Sequence, residues 1–294
     1  MSMAIHRYRV EHVTRYKHAE RASSSHHVAY LTPRHLPFQR VVEHHVAVTP
    51  NAADRIDRVD YFGNAVQHFS VLSPYRELDV SSHSVVEVSE ADRIDPNAGP
   101  RWEEATAAAQ PFVAGVSEFS YPSPYVGVPS VVAAFARESF PAGRPLVSAV
   151  LDLTHRINRS FQFDPDATTI TTSVTRVLEM RHGVCQDFAH VGIACLRSLG
   201  LAARYVSGYL LTTPPPGEPR LQGADASHAW LSVHCPGWGW LDVDPTNDLV
   251  PDTRHITLAW GRDYGDVSPL RGVVLGGGHH TLDVGVSVTP DAPA

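Results

Sequence analysis

The sequence predicts an α+β protein in which an N-terminal β-sandwich is joined through a helical connector to a mixed core of helices and strands. Three observations carry this reading. Apolar residues alternate with period two as far as about residue 90, a polar turn-forming run follows, and helical periodicity then dominates until a new strand pair begins near Ser227.

Residues 1–91 are assigned to the sandwich. Val42, His44, Val46 and Val48 share one strand face, and Leu78, Val80, Ser82, Ser84, Val86 and Val88 share another. Turn signals separate the strands at Thr32-Pro33, Thr49-Pro50-Asn51, Phe62-Gly63-Asn64 and Ser73-Pro74. From Asp92 to Pro100 the chain is polar and rich in turn formers, which opens a connector over 92–145. It carries a short helix after Arg101 and a second one opened by Pro129-Ser130. The core, 146–294, begins with a helix that places Leu146, Val150, Leu153 and Ile157 on one stripe. Thr172 or Ser173 caps the next helix, which carries Val174, Val177 and Leu178 and ends at Gly183. Tyr205 to Tyr209 reads as a strand, and Leu282, Val284, Val286 and Val288 alternate along the last one.

The chemistry concentrates just after Gly183. In Arg181-His182-Gly183-Val184-Cys185-Gln186-Asp187-Phe188-Ala189-His190 a lone cysteine stands where a turn hands over to a helix. Glycine permits a tight entry, and the unpaired N–H groups of a first helical turn put partial positive charge beside the sulfur, which favours the thiolate. Phe188, Gly192, Cys195 and Leu199, widened by Ala189, Ile193 and Leu196, form an apolar stripe that wedges this helix into a core. Asp187 reads as a first-turn carboxylate that complements the helix dipole and caps backbone donors.

A base and an acid follow in order. Ser227 to His234 reads as a strand, Cys235-Pro236-Gly237 as a turn and Trp238 to Pro245 as the returning strand. With the hairpin centred near Pro236, His228 faces Asp244, Trp230 faces Asp242 and Ser232 faces Trp240, while Ala229, Leu231, Val233, Leu241 and Val243 share the other, apolar face. Asp244 would then hold the tautomer of His228 and stabilise its imidazolium. A bulge would shift the register, and Asp242 on the same face stands in reserve.

The order Cys, His, Asp, carried by GVCQDFAHVGIACLRSLGLAARYVSGYL and SHAWLSVHCPGWGWLDVDPTND, resembles the transglutaminase-like superfamily, in its bacterial branch with an added N-terminal β domain. Tyr8 to Tyr16 resembles the opening strand of that domain, and Gly261 to Gly272 a segment typical of the branch. The resemblance implies a papain-like catalytic core over 146–294, with Cys185 as nucleophile, His228 as general base and then acid, and Asp244 as its orienter. It also implies an oxyanion site made by the Cys185 N–H with a second donor, for which Gln162 has suitable chemistry. The implied activity is thiol-dependent cleavage or transfer at an amide bond of a peptide or protein through a Cys185 thioester. Hydrolysis by a cysteine protease or peptidase is preferred; glutamine transfer, deamidation and a non-catalytic binding module are the other readings.

Composition fits this without specifying it. The chain has 294 residues, 43% hydrophobic and 19% charged, which is ordinary globular material. A net charge of −7 and the absence of a Lys/Arg run exclude a nucleic-acid binder. Cysteines at 185, 195 and 235 are too few and too uneven for a disulfide framework, so a reducing compartment is expected. The opening residues lack an apolar signal-like run and no stretch is long enough to span a bilayer, so the expectation is a soluble cytoplasmic protein without a membrane partner.

The remaining motifs have structural as well as functional readings. Cys195 lies on the core stripe and reads as packing, and Cys235 in the turn as an exposed bystander. Trp230 and Trp240 either line a substrate groove or pair across the hairpin, and Asp263 and Tyr264, with Arg262 and Asp266, either border the site or form a loop tied by an Arg–carboxylate pair. The doublets His26-His27, His44-His45 and His279-His280 point to opposite faces of strands, so no metal site and no cofactor are expected. The Pro-rich stretch Thr212 to Pro219 reads as a loop near the groove, and the N-terminal domain as a surface for forming a homo-oligomer.

Overall fold

The computed structural model describes residues 4–90, 95–97, 99–108, 113, 115–212 and 226–291. Strands β1 (Ile5–Ala29), β2 (Gln39–Thr49), β3 (Asp54–Val59), β4 (Ala65–Val71) and β5 (Tyr75–Ser89) come first. Helices α1 (Trp102–Ala108), α2 (Ser130–Arg137) and α3 (Leu146–Ser160) follow, then β6 (Gln162–Phe163), α4 (Val174–Met180), β7 (His182–Gly183), α5 (Cys185–Ser198) and β8 (Ala203–Leu210). The described chain closes with β9 (Ala226–Cys235), β10 (Gly239–Val243), β11 (His255–Gly261), α6 (Tyr264–Val267), β12 (Leu270–Gly276) and β13 (His280–Pro290). No helix among the described residues is long and apolar enough to cross a membrane.

The first half of β1 pairs antiparallel with β5 and β13, and the second half with β4 and β12, with an irregularity between Lys17 and Ala22. The resulting seven-stranded sheet doubles over on itself. Leu78 and Val80 of β5 and Val46 and Val48 of β2 pack with Phe69 and Val71 of β4 in one core. The two layers expected from alternating strands are therefore parts of one hydrogen-bonded sheet, joined through its longest strand. Strands β12 and β13, which the sequence reading grouped with the second half of the chain, complete this N-terminal sheet.

Tyr8, Val10, Val86, Val88, Val286 and Val288 face a second core that contains α2 to α5 and the sheet β10-β9-β8-β11. On α3 the expected stripe of Leu146, Val150, Leu153 and Ile157 is buried, each such side chain contributing about 1.5–3 kcal/mol over its exposed state. The α4 helix takes its cap from Ser173, whose hydroxyl accepts the Arg176 N–H. It ends at Arg181, which adopts the left-handed conformation at φ 58°, two residues before the glycine expected to stop it.

Burial of α5 goes beyond its apolar stripe: every residue from Asp187 to Arg197 is buried. The Arg197 charge survives there because its guanidinium donates to the carbonyls of Phe119 (2.8 Å), Ala203 (2.9 Å) and Arg262 (2.7 Å). The β9–β10 register places Asp242 opposite Ser232 and Trp240 opposite His234. The hairpin is thus centred on Gly237, at φ 83°, and not on Pro236, which slides β10 two places along β9. A two-residue slide preserves parity, so each side chain stays on its expected face.

Candidate active site

Cys185 is the first residue of α5 and is partly exposed. Its position is fixed by the turn before it. The Asp187 carboxylate accepts the Val184 N–H (2.8 Å) and the Thr168 hydroxyl (2.7 Å), closing the helix start from beneath. Burial raises the Asp187 pKa, and these two donors partly offset it. Gly183 is required for room, because a Cβ there would stand 2.6 Å from Asp187 Oδ2. The first-turn N–H groups at Cys185 and Gln186 have no acceptor within the helix and are positioned to bind an anion.

His228 lies on β9 opposite Gly208 of β8. Any side chain at Gly208 would collide with the Trp230 ring and the Ile256 carbonyl, so the glycine makes space for the indole beside the histidine. His228 Nε2 lies 2.7 Å from Asp244 Oδ2, and the ring lines the same cleft as Cys185. Burial alone lowers the His228 pKa; the hydrogen bonds to Asp244 and Cys185 outweigh it and push the value up to about 10.

Asp244 follows the end of β10 and is fully buried. Its carboxylate collects donors from several directions. Oδ2 lies 2.7 Å from His228 Nε2, 2.7 Å from Asn247 Nδ2 and 3.2 Å from His255 Nε2. Oδ1 accepts the backbone N–H groups of Thr246 (2.9 Å) and Asn247 (3.2 Å). Burial opposes ionisation, yet the hydrogen bonds from His228 and His255 hold the carboxyl well below the usual range. His255, buried and also facing Asp252 at 3.4 Å, has its own pKa raised by these two carboxylates against desolvation. Asn247 and His255 were not singled out from the sequence. The Asp-Pro-Thr-Asn turn carries a signal for the first, whereas the second comes from β11 and is joined to the site only by the fold.

His228, Asp244 and His255 also bring three metal-capable atoms within 4.8 Å of one another. Asp244 Oδ2, however, is at hydrogen-bond distance from both rings, so their mutual contacts satisfy these atoms without an ion. Two members of the histidine doublets have hydroxyl partners: His26 meets Ser70 at 2.8 Å, and His44 meets Thr32 and Ser84 at 2.9 Å.

Cys185 and His228 open onto a cleft of about 270 Å³. One wall is Tyr205, Ser207 and Ala229; the other is His12, Thr14 and Tyr16 of β1 with Leu282 and Val284 of β13. The N-terminal sheet therefore forms part of the cleft. Tyr264 also lines it, held by its N–H to His190 Nε2 at 3.2 Å. Burial pushes the His190 pKa down to about 3, keeping that nitrogen an acceptor.

Other residues singled out from the sequence lie away from the cleft. Gln162 is exposed on β6 and does not line it. Trp230 and Trp240 line a separate cavity with Asp242, to which the Trp230 indole donates at 3.0 Å. Asp263 is buried and accepts the N–H groups of Tyr125 and Gly265, both at 2.9 Å. Arg262 and Asp266 form a two-pronged ion pair at 2.9 Å, the tied loop of the structural reading. Cys235 requires a correction: it is 1% exposed, not a surface bystander, because the turn begins after it and its side chain stays in the core. Burial raises the Cys195 and Cys235 thiols to about 12, which leaves Cys185 as the accessible sulfur. Residues Thr213 to Pro219 of the Pro-rich stretch lie outside the described residues.

Comparison with known proteins gives a consistent picture. Residues 8–87 match the bacterial transglutaminase-like N-terminal region, and residues 133–245 match the transglutaminase-like superfamily. An uncharacterized protein of Mycobacterium tuberculosis is 43% identical over 293 residues, covering 97% of this chain and 93% of its own. A protein-glutamine gamma-glutamyltransferase of Pseudomonas aeruginosa is 30% identical over 143 residues, 46% of this chain and 21% of that protein. The crystal structure of a candidate cysteine protease from Cytophaga hutchinsonii shares the fold, with a TM-score of 0.78 and 20% identity over 99% of this chain and 92% of the other. Both regions match in order and a relative is similar along nearly the whole chain: this protein belongs to the transglutaminase-like superfamily, in the group that carries the bacterial N-terminal region.

Proposed function

We propose that the protein is a cysteine-dependent amide-bond hydrolase acting on peptides or proteins, with Cys185 as nucleophile, His228 as acid and base, and Asp244 as the residue that orients His228. The observation that carries this reading is the Asp244 carboxylate at 2.7 Å from Nε2 of a buried imidazole that shares its cleft with the partly exposed Cys185.

In the proposed reaction the Cys185 thiol gives its proton to His228, and the sulfur attacks the substrate carbonyl carbon. The oxyanion of the tetrahedral intermediate binds at the N–H groups of the α5 start, with Cys185 N–H as the first donor. Gln162, proposed from the family resemblance as a second donor, would have to reach the cleft from β6. Imidazolium His228 protonates the leaving amine nitrogen, the C–N bond breaks and a Cys185 thioester remains. His228 then takes a proton from water as the water attacks the thioester carbon. The C–S bond breaks, releasing the carboxylic acid, and the sulfur recovers its proton.

Replacing water by an amine in the second half gives acyl transfer, and the named Pseudomonas aeruginosa relative favours keeping that outcome in view. Cys185 and Tyr264 with the β1 and β13 wall are the proposed substrate-contacting surface. The deciding experiment is mass spectrometry of peptide and glutamine-peptide libraries incubated with the enzyme, with and without a fluorescent alkylamine. Cleaved peptides support hydrolysis, amine adducts support transfer, and neither product, with Cys185 unreactive toward thiol reagents, refutes both.

A further inference from the structure

We propose that the cavity lined by Arg204, Trp230 and Trp240, separate from the Cys185 cleft, is a second binding site, which takes a small monocarboxylate with an apolar body. Arg204 is the centre of the case. It is 8% exposed, and its guanidinium lies between the rings of Trp240 (4.2 Å to the centroid) and Trp260 (3.7 Å). Indoles on both faces leave only the edge of the guanidinium for hydrogen bonding. Its Nε is buried and has no partner among the described residues, and it belongs to a side chain that lines a cavity of about 370 Å³. A buried donor left unpaired is destabilising, and a bound acceptor would remove that cost.

Arg34 stacks on Trp260 at 3.5 Å and its Nε is likewise buried without a partner among the described residues, but its Nη1 donates to Asn64 Oδ1 at 2.5 Å and, unlike Arg204, it does not line the cavity. In the cross-strand row Arg204, Ser232, Asp242, the small Ser232 is also buried with an unpaired hydroxyl. Asp242 accepts the Trp230 indole through Oδ2, and its charge faces Arg204 without a hydrogen bond to Nε.

The cavity walls set the ligand class. Phe38, Trp230 and Val250 offer an apolar surface, which suits an organic body. Asp242 and Asp252 also line the space and disfavour a multiply charged anion such as phosphate, whereas a carboxylate matches the in-plane edge of one guanidinium. The site adjoins the proposed catalytic group without sharing its cleft. Trp230 and His255 are both in its wall, and His255 Nε2 is 3.2 Å from Asp244 Oδ2.

The test is calorimetric titration of the full chain with sodium benzoate and with benzamide, its neutral isostere. The expected result is saturable one-to-one binding of benzoate at millimolar concentrations or below, with benzamide at least about tenfold weaker. Arg204→Gln should weaken benzoate by at least about tenfold. Val250→Trp, at the exposed rim, should block entry with the Arg204 stack intact, and so serves if the first variant fails to fold. Iodoacetamide should still alkylate Cys185 in saturating benzoate. No saturable benzoate binding, equal binding of benzamide, or binding that survives Val250→Trp and protects Cys185 would each overturn the proposal. The last outcome would place the ligand in the cleft.

Discussion

His228 Nε2 and Asp244 Oδ2 lie 2.7 Å apart with both side chains removed from solvent, so the charge on one is inseparable from the charge on the other. The folded pKa of His228, about 10, stands above its ordinary 6.5. The associated stability is fully present below pH 6.5 and is lost as pH rises through about 10. Urea unfolding of the wild type and of His228→Gln, compared from pH 6 to pH 10, should show the wild type losing on the order of 3 kcal/mol relative to the variant. Parallel pH profiles would mean that His228 is neutral in the folded protein.

The same pairing governs the reactivity of Cys185. Wild-type protein should be alkylated by iodoacetamide at pH 6, at Cys185 alone, because Cys195 and Cys235 are buried thiols. His228→Ala should slow that reaction by about tenfold or more. Asp244→Asn removes the carboxylate from two buried rings and should lower amide-bond turnover by roughly 10³–10⁴-fold. Peptide mapping of the alkylated chain identifies the sulfur; label on Cys195 or Cys235 before Cys185 would contradict the site assignment.

Acid should unfold the protein through a different set of histidines. Burial lowers His12 to about 4, His27 to about 4 and His190 to about 3. Their folded pKa values lie below 6.5, so the unfolded chain binds protons first, and stability present above pH 6.5 is lost as pH falls toward 4. Thermal melts from pH 7 to pH 4.5 should show that fall, and His12→Gln should make it shallower. An unchanged slope in that variant would show that His12 is protonated without cost.

Gly183 tests how the nucleophile is held. Gly183→Ala places a methyl group 2.6 Å from the Asp187 oxygen that also holds Val184 and Thr168. The expected cost is about 1–3 kcal/mol of stability, as for other overpacked sites, together with slower Cys185 alkylation. Equal stability in urea and equal alkylation would show that Asp187 swings aside freely.

What the sequence made legible was local. Strand alternation at Leu78 to Val88, the α3 stripe and the helix start at Cys185 are set by neighbours a few residues apart, so period and composition expose them. Parity put Trp230, Asp242 and His228 on one face correctly even though the hairpin slid by two residues. Parity cannot say what covers a face. The segment around Phe38 and the Trp260 side chain of β11 close over Trp230 and Trp240, making a cavity separate from the Cys185 cleft. His255 reaches Asp244 from another strand, and β13 returns from the far end of the described chain to pair with β1. Both are consequences of tertiary pairing that no local pattern encodes.

That return of β13 leads to the last prediction. Leu282 is 54% exposed on β13 and lines the cleft across from the α5 start, beside Tyr16 of β1. A side chain there can touch a bound substrate without touching the reacting sulfur. Leu282→Glu should leave iodoacetamide alkylation of Cys185 within about twofold, because the reagent is too small to need the wall. For a peptide substrate the same change should raise KM by roughly tenfold with kcat little altered, the pattern of an interaction made equally in ground and transition states. A matched fall in alkylation and turnover would instead mean that the substitution disturbs the packing between the two halves. An unchanged KM would show that substrate approaches Cys185 without using the N-terminal sheet at all.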